Sequence, residues 1–319
     1  MDKIRVGVIG VGYLGRFHAE KYAGMPDAEL VGVVDVDAEA ADRIAEQLGT
    51  AAYSDHRQLF GLVDAVSIVV PTPLHFAVSR DFLEHDVDVL IEKPITTTLA
   101  EADALLRIAE NRGLLIQVGH LERFNPAVVA LRRVISDPRL IEANRLSIYK
   151  ERCTDVSVVL DLMIHDIDII LNLVQSEPIE IRAAGIPVIS GNVDVASARL
   201  AFASGAVANV TASRVSLKNE RTIRLFQHDA CLAVDFAGRT ITIIRPGDEP
   251  DNACPIPGMT LEQESFEGSD ALNDELRSFV AAVRWRREPE VTGKMGRDAL
   301  KIALSVMEQI EANGGRLLR

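Results

Sequence analysis

The sequence predicts an α/β protein in two parts: a doubly wound parallel sheet, then a strand-rich region packed with helices. Three observations carry that expectation. Apolar runs of strand length alternate with helical patterns from Ile4 to Val118. A glycine-spaced turn, Gly10-x-Gly12-x-x-Gly15, joins the first apolar run to the first helical pattern. From Ile179 to Ile244, six runs with alternation or β-branched content follow one another, separated by Gly, Asn or Asp.

Composition narrows the class. The 319 residues exceed a typical single domain, so two domains are expected. Hydrophobic residues make up 48% and charged residues 25%, the balance of a soluble globular protein. A net charge of −13 argues against a nucleic-acid partner, which needs a basic face. Cys153, Cys231 and Cys254 are odd in number, widely spaced and without zinc spacing, which predicts reduced thiols in the cytoplasm and no metal. The first strand begins within a few residues of the start, so no signal peptide is expected. No apolar run reaches the ~18 residues of a membrane span.

In chain order, Ile4 to Ile9 reads as a buried strand running into the glycine turn and a helix. Gly10 allows the tight turn, Gly12 lets the backbone approach a pyrophosphate, and Gly15 lets helix and strand pack closely. Tyr13 and Leu14 lie in the same loop, and the helix N-terminus offers N–H groups to phosphate. The second strand, Glu29 to Val34, ends at Asp35, twenty residues beyond Gly15. There a Rossmann unit places the carboxylate that accepts the adenosine ribose hydroxyls. A carboxylate at that point repels a 2′-phosphate, so NAD is expected rather than NADP.

Helix Asp37 to Leu48 and a short strand Ala51 to Tyr53 follow. A fourth strand, Asp64 to Val70, runs into Pro71-Thr72-Pro73-Leu74-His75, and a helix continues to His85. Loops at the carboxyl ends of parallel strands form the ligand crevice, which makes Thr72 and His75 candidate cofactor contacts. For Thr72, capping of the following helix is an equal alternative. Val87 to Ile91 is a fifth strand; it runs into Glu92-Lys93-Pro94, which puts Lys93 on the nicotinamide side of the crevice. A helix capped by Thr98 and a sixth strand, Leu114 to Val118, complete the first domain near Gly119.

Asn125 to Ile135 reads as a helix and Leu140 to Tyr149 as a strand. Val158 to Leu173 has helical spacing, with Asp161 and His165 four apart on one face and Asp168 three beyond His165. Acids so spaced orient an imidazole. The later strands are Ile179 to Ile189, Val193 to Ala203, Val207 to Ser216, Thr222 to Gln227, Cys231 to Phe236 and Arg239 to Ile244. A Pro-rich loop spans Pro246 to Gly258; helices Asp270 to Arg286 and Gly296 to Asn313 close the chain, the last ended by Gly314-Gly315.

The ordered set Gly10-x-Gly12-x-x-Gly15, Asp35, Glu92-Lys93-Pro94 and Asp161-x-x-x-His165-Asp166 resembles the Gfo/Idh/MocA oxidoreductase family over essentially the whole chain. The resemblance implies an NAD-binding Rossmann domain at residues 1–120. It implies a substrate-binding and oligomerisation domain at residues 121–319, built on a large, open, mostly antiparallel sheet. Family members oxidise or reduce a hydroxyl of a sugar or cyclitol held over the nicotinamide. By position, Lys93, Asp161 and His165 take the catalytic places, with the base left open between His165 and Lys93. Glu92 and Lys93 join the cofactor contacts. The open sheet implies a homo-oligomer, dimer or tetramer.

Val118-Gly119-His120-Leu121-Glu122-Arg123-Phe124-Asn125-Pro126 and the stretch from Asp155 to Asp168 resemble members acting on nucleotide sugars. That implies oxidation at C3 of a UDP-linked sugar, with Arg123, Arg152 and Lys218 as candidate contacts beside Asp161 and His165. Ser157 stands where a residue such as Gly is expected. The rival readings are a dehydrogenase of a UDP-uronic acid, free sugar or inositol, a glycosidase working through transient oxidation, and a nucleotide-bound sensor without turnover.

Overall fold

The structure, a computed structural model, describes residues 2–149, 156–247 and 254–317. Six parallel strands open it: β1 (Ile4–Ile9), β2 (Ala28–Val34), β3 (Ala51–Tyr53), β4 (Ala65–Ile68), β5 (Asp88–Glu92) and β6 (Ile116–Gly119). Their order, β3-β2-β1-β4-β5-β6, reverses direction at β1, so the loops after β1 and β4 flank the crevice where such sheets bind ligands. The strands β4 to β6 are buried on both faces, which is why they read as unbroken apolar runs.

The helices between them start and stop on identifiable side chains. In α2 (Ala38–Leu48), Asp37 accepts the Ala40 N–H and Gly49 closes the end in the left-handed region. In α4 (Leu99–Arg112), Thr98 and Glu101 cap each other's backbone N–H groups. The helices α1 (Gly15–Ala23) and α3 (His75–Glu84) carry no side-chain cap.

The second unit holds α5 (Pro126–Val134), then β7 (Leu140–Leu146), a π turn at Val159–Met163, and α6 (Ile164–Val174). The strands β8 (Pro178–Ile186), β9 (Val195–Phe202), β10 (Val207–Ser213), β11 (Glu220–Gln227), β12 (Ala230–Asp235), β13 (Thr240–Pro246) and β14 (Met259–Ser265) follow. They form one sheet in the order β14-β13-β12-β11-β7-β10-β9-β8. Every adjacent pair is antiparallel except β7 with β10. One face is apolar and buried, with Ile141, Ala143, Val210, Leu200, Ile223, Leu225 and Val234. The isoleucines of α6 cover β7 and β10 on that face.

The chain closes with α7 (Ala271–Trp285) and α8 (Gly293–Leu317). The chain divides into two compact units, Met1–Leu121 with Asp270–Leu300, and Glu122–Ser269 with Lys301–Arg319. Residues 270–300 therefore belong with the first unit, which a single cut at residue 120 does not provide for. Leu276, Phe279, Val280 and Val283 of α7 share a core with Val6, Val8, Tyr22 and Val33.

Several elements differ from the sequence reading. The helix expected over Val158 to Leu173 begins as a π turn, and α proper starts at Ile164. The strand β8 stops at Ile186 because Pro187 brings no N–H to the ladder. The strand β14 was not foreseen: it is an edge strand whose last four residues are exposed, so it has no buried-face alternation to read. The helix α8 runs through Gly314-Gly315, since interior glycine costs a helix only about 1 kcal/mol.

A buried charge network docks α6 on the sheet. Arg145, 3% exposed on β7, donates from Nε (2.9 Å) and Nη2 (2.8 Å) to the two oxygens of Asp166, and from Nη1 to Glu122 (2.8 Å). Burial raises the Asp166 carboxyl above its ordinary range, and Arg145 pulls it only part of the way back. Removing one partner of such a pair strands the other charge. Asp166→Ala is expected to destabilise the protein by about 3–5 kcal/mol in chemical denaturation. Arg224→Ala, which breaks an exposed pair with Glu142, is expected to cost about 1 kcal/mol or less. Equal losses for the two would mean that the network does not anchor the helix.

Candidate active site

In the first unit, candidate residues begin at the turn after β1. Gly10 sits at φ +87°, and a Cβ there would meet the Val69 carbonyl at 2.7 Å. A Cβ on Gly15 would come within 1.8 Å of the Gly10 carbonyl oxygen. Gly12 differs: nothing lies within 4 Å of its would-be Cβ. Two glycines thus close the turn, and the third leaves an open cradle for a group outside it. The N-terminus of α1 has no side-chain cap and no acid in its first turn, which leaves its field to an anion.

Asp35 tightens the same loop. Its Oδ2 accepts the Val11 N–H (2.8 Å) and its Oδ1 accepts the Asp37 N–H (3.0 Å). Each oxygen keeps a further lone pair, enough for two ribose hydroxyls. Tyr13 is 65% exposed at the mouth of the loop, and Leu14 is half-buried. The Arg16 guanidinium lies over the Tyr13 and Phe17 rings.

Thr72 opens a 3₁₀ turn, Thr72–Leu74, but caps neither that turn nor α3. The capping alternative is therefore not realised. His75 requires a correction. It is 1% exposed, with Nδ1 2.9 Å from the Pro94 carbonyl and Nε2 2.9 Å from the Val70 carbonyl. Burial pushes its pKa down, although the two carbonyls favour the protonated ring. With both nitrogens so engaged, His75 ties the β4 loop to the Lys93-Pro94 turn and offers no polar atom to a cofactor.

Glu92 is corrected in the same sense. Its carboxylate turns inward: Oε1 lies 3.3 Å from Nε2 of the fully buried His18, and Oε2 accepts the Lys93 N–H (3.3 Å). Gly119 on the neighbouring strand makes the room, since a Cβ there would stand 2.7 Å from Oε1. Burial alone would raise the Glu92 carboxyl, but His18, followed by Lys93 and His75, holds it below its ordinary range. Lys93 is half-buried, and the bond from its N–H to Glu92 ties its backbone to that inward-turned carboxylate. Behind this pair lies Glu275, fully buried, with neither carboxyl oxygen hydrogen-bonded. Burial, then the Glu92 charge, push its pKa well above the usual carboxylate range.

In the second unit, candidate residues lie at the start of α6. Ser157 explains its own departure from the expected Gly: its hydroxyl accepts the Val159 N–H (3.2 Å), and its carbonyl accepts those of Leu160 and Asp161 (both 3.1 Å). It caps the π turn, a wide turn that recurs at functional sites. Asp161, Leu162 and His165 are half-buried, whereas Met163, Ile164 and 166–170 are buried. Asp161 and His165 are thus set apart from the buried face of their own helix.

The remaining candidates separate. Arg123 is 1% exposed and pairs with Asp168 at 3.5 Å, so it braces α6 and presents no surface to a substrate. Lys218 is exposed but sits 2.7 Å from Glu220. Arg152 lies outside the described residues. His18, Glu275 and the Arg145–Asp166 pair were not read from the sequence, because nothing in a linear pattern shows that a charged residue is buried. Among the described residues no His, Cys, Asp or Glu side chains group as metal ligands. Among the described residues no helix is long and apolar enough to cross a membrane.

Residues 4–120 match the family model described as oxidoreductase family, NAD-binding Rossmann fold, and residues 127–232 match the GFO/IDH/MocA C-terminal domain. The chain belongs to the Gfo/Idh/MocA oxidoreductase family. It is 41% identical to UDP-N-acetylglucosamine 3-dehydrogenase of Acidithiobacillus ferrooxidans, over 98% of this chain and 99% of that one. The solved structure of that enzyme superposes with a TM-score of 0.93, again at 98% and 99% coverage. Inositol 2-dehydrogenase of Rhizobium meliloti is 26% identical over 96% of this chain and 97% of its own. As a member of this family the chain is an oxidoreductase whose first unit binds NAD.

The open cradle at Gly12 and the closed contact at Gly15 predict different losses. Gly12→Val is expected to weaken NAD binding at least tenfold by cofactor titration while leaving the melting temperature of the apoprotein unchanged. Gly15→Ala is expected to lower that melting temperature. Equal effects would show that Gly12 is only a turn residue.

Glu275 predicts a pH dependence of known sign. The unfolded chain sheds this proton near pH 4.3, while the folded protein keeps it to a higher pH. Stability is therefore lost as pH rises above about 4.3, by up to about 1.4 kcal/mol per unit until the folded group ionises. Glu275→Gln cannot ionise in either state. Its melting temperature is expected to match the wild type near pH 4 and to exceed it increasingly toward pH 8; a constant difference would contradict the buried, protonated acid.

Proposed function

We propose that this protein oxidises the C3 hydroxyl of UDP-N-acetylglucosamine to the 3-keto sugar. The observation that carries this reading is 41% identity, over 98% of the chain, to an enzyme named for that reaction. The half-buried Asp161 and His165, next to the buried run Asp166 to Ile170, support it. So does a Lys93 whose backbone is fixed by Glu92.

His165 takes the proton from the sugar hydroxyl as general base. Lys93 donates a hydrogen bond to the same oxygen and stabilises its developing negative charge. Asp161 holds the sugar or orients these groups. NAD, when bound, supplies the hydride acceptor. Gly12 and the uncapped start of α1 receive its pyrophosphate, Asp35 its adenosine ribose, with Tyr13, Leu14 and Thr72 alongside. Lys218, released from Glu220, serves the diphosphate of the substrate.

The polar face of the second sheet supports a homo-oligomer. Glu142, Asn144, Ser197, Asn209, Thr222 and Thr242 lie on it opposite the apolar face, and all but the exposed Ser197 are half-buried. A second copy laid on this sheet gives a dimer or tetramer, which light scattering of the purified protein measures. The 3-keto product suits transamination to a 3-amino sugar for lipid A or polysaccharide synthesis in the cytoplasm.

Incubation with NAD and a panel of sugars, followed by NADH absorbance, tests the reading. UDP-N-acetylglucosamine is expected to give NADH, with an added keto-acid acceptor where the cofactor stays bound. His165→Ala is expected to lower kcat by about 10²–10⁴-fold with NAD binding intact. A signal from a free polyol or inositol and none from a UDP-sugar would overturn the substrate assignment.

A further inference from the structure

The stretch that leads to Asp161 and His165 is not a strand of the sheet, and something else must set where it starts. One anchor is the bond from the Val158 N–H to the Val193 carbonyl (2.9 Å). The other anchor is Arg214. This side chain is 5% exposed and donates from Nη2 to the Val156 carbonyl (2.5 Å). Its Nε lies 3.9 Å from Asp194 Oδ1.

Asp194 is itself held from several sides. It is fully buried, and its Oδ2 accepts the N–H groups of Val188, Ile189 and Ser190 at 2.7, 2.8 and 2.9 Å. The Ser190 hydroxyl donates to Oδ1 at 2.7 Å. Burial would raise this carboxyl, but the four donors hold it well below the usual range, so it stays an anion. The backbone repeats the link, since the Arg214 N–H donates to the Asp194 carbonyl (3.0 Å).

Packing alone does not require this arrangement. A buried ion pair is no more stabilising than apolar side chains of similar volume. What it adds is direction. A guanidinium drawn toward a rigid anion 3.9 Å from its Nε, on a backbone tied to that same residue, presents a donor at its other end. That donor ends on a carbonyl five residues before Asp161, at the mouth of the π turn capped by Ser157.

We propose that Arg214, held by Asp194, is a positioning residue for Asp161 and His165. It sets the starting point of the π turn and so the place of both side chains, without touching the substrate. The proposal rests on the reading of His165 as the general base.

Arg214→Met is expected to lower kcat with UDP-N-acetylglucosamine by tenfold to a hundredfold, since a misplacement of about 1 Å costs that much. The KM for NAD should not move, and Arg214→Lys should restore part of the rate. In NMR spectra without substrate, the His165 imidazole signals, identified by their absence in His165→Gln, should shift in Arg214→Met while those of His75 stay in place. Asp194→Asn should repeat both effects and serves if Arg214→Met does not fold. An unmoved His165 signal, or a moved signal with wild-type kcat, would overturn the proposal. A wild-type protein that makes no NADH from UDP-N-acetylglucosamine would overturn the functional reading instead, and the His165 signal would still decide the role of Arg214.

Discussion

The second unit depends on one ion pair, Arg145 with Asp166. Arg145 stands on β7, hydrogen-bonded between β11 and β10 in the middle of the sheet. Asp166 is in the first turn of α6, one residue after His165. The paired bonds from Nε and Nη2 fix both distance and rotation, as single bonds do not. A helix held only by Ile164, Ile167 and Ile170 could turn slightly on an apolar sheet at small cost. A carboxylate bound at two points cannot turn without losing hydrogen bonds that no water replaces. Arg123 lies 3.5 Å from Asp168 two residues further along, a single charge contact that adds attraction but not the two-point geometry.

The first unit reaches the same end with a different set. Lys93 follows Glu92, and Glu92 is committed to His18 on α1. In both units the residue proposed to act on the sugar is next in sequence to one whose charge is buried and paired. Adjacent residues of a strand or helix point in different directions, so a buried neighbour fixes the backbone while the reactive side chain faces elsewhere. Glu275 adds a second carboxyl near Glu92. Two carboxylates in one dry site do not both ionise, and the pair divides into one acid and one anion. Glu92, with His18 and the Lys93 N–H, is the anion.

Much of this was legible in the sequence. The glycine spacing, the acid twenty residues on, and the unbroken apolar strands specify a parallel nucleotide-binding sheet, because each answers a local steric or electrostatic need. The helical stretch around Asp161 and His165 was legible as well, though not the π turn with which it begins. Long-range partnership was not. His75, Glu92 and Arg123 read as contacts for ligands because a polar residue near a motif has the same letter whether it faces a crevice or a carbonyl. Their burial is set by residues as distant as Asp168 and Gly119. The return of α7 to the first core was equally hidden, since its apolar stripe of Leu276, Phe279 and Val283 does not say which sheet it covers.

Ser157 shows how a departure from a motif becomes informative. Glycine at that place would leave the π turn without a side-chain acceptor for the Val159 N–H. Serine supplies one at 3.2 Å, and the residue is 5% exposed, so the hydroxyl is not spent on water. The turn is then held on both sides, by Ser157 from within and by the carbonyl of Val193 on the Val158 N–H. A π turn is wider than an α turn and less stable in isolation. It persists here because its first N–H groups all have partners: Val158 with Val193, Val159 with the Ser157 hydroxyl, Leu160 and Asp161 with the Ser157 carbonyl. The sequence difference therefore strengthens the frame around Asp161 and leaves its chemistry untouched.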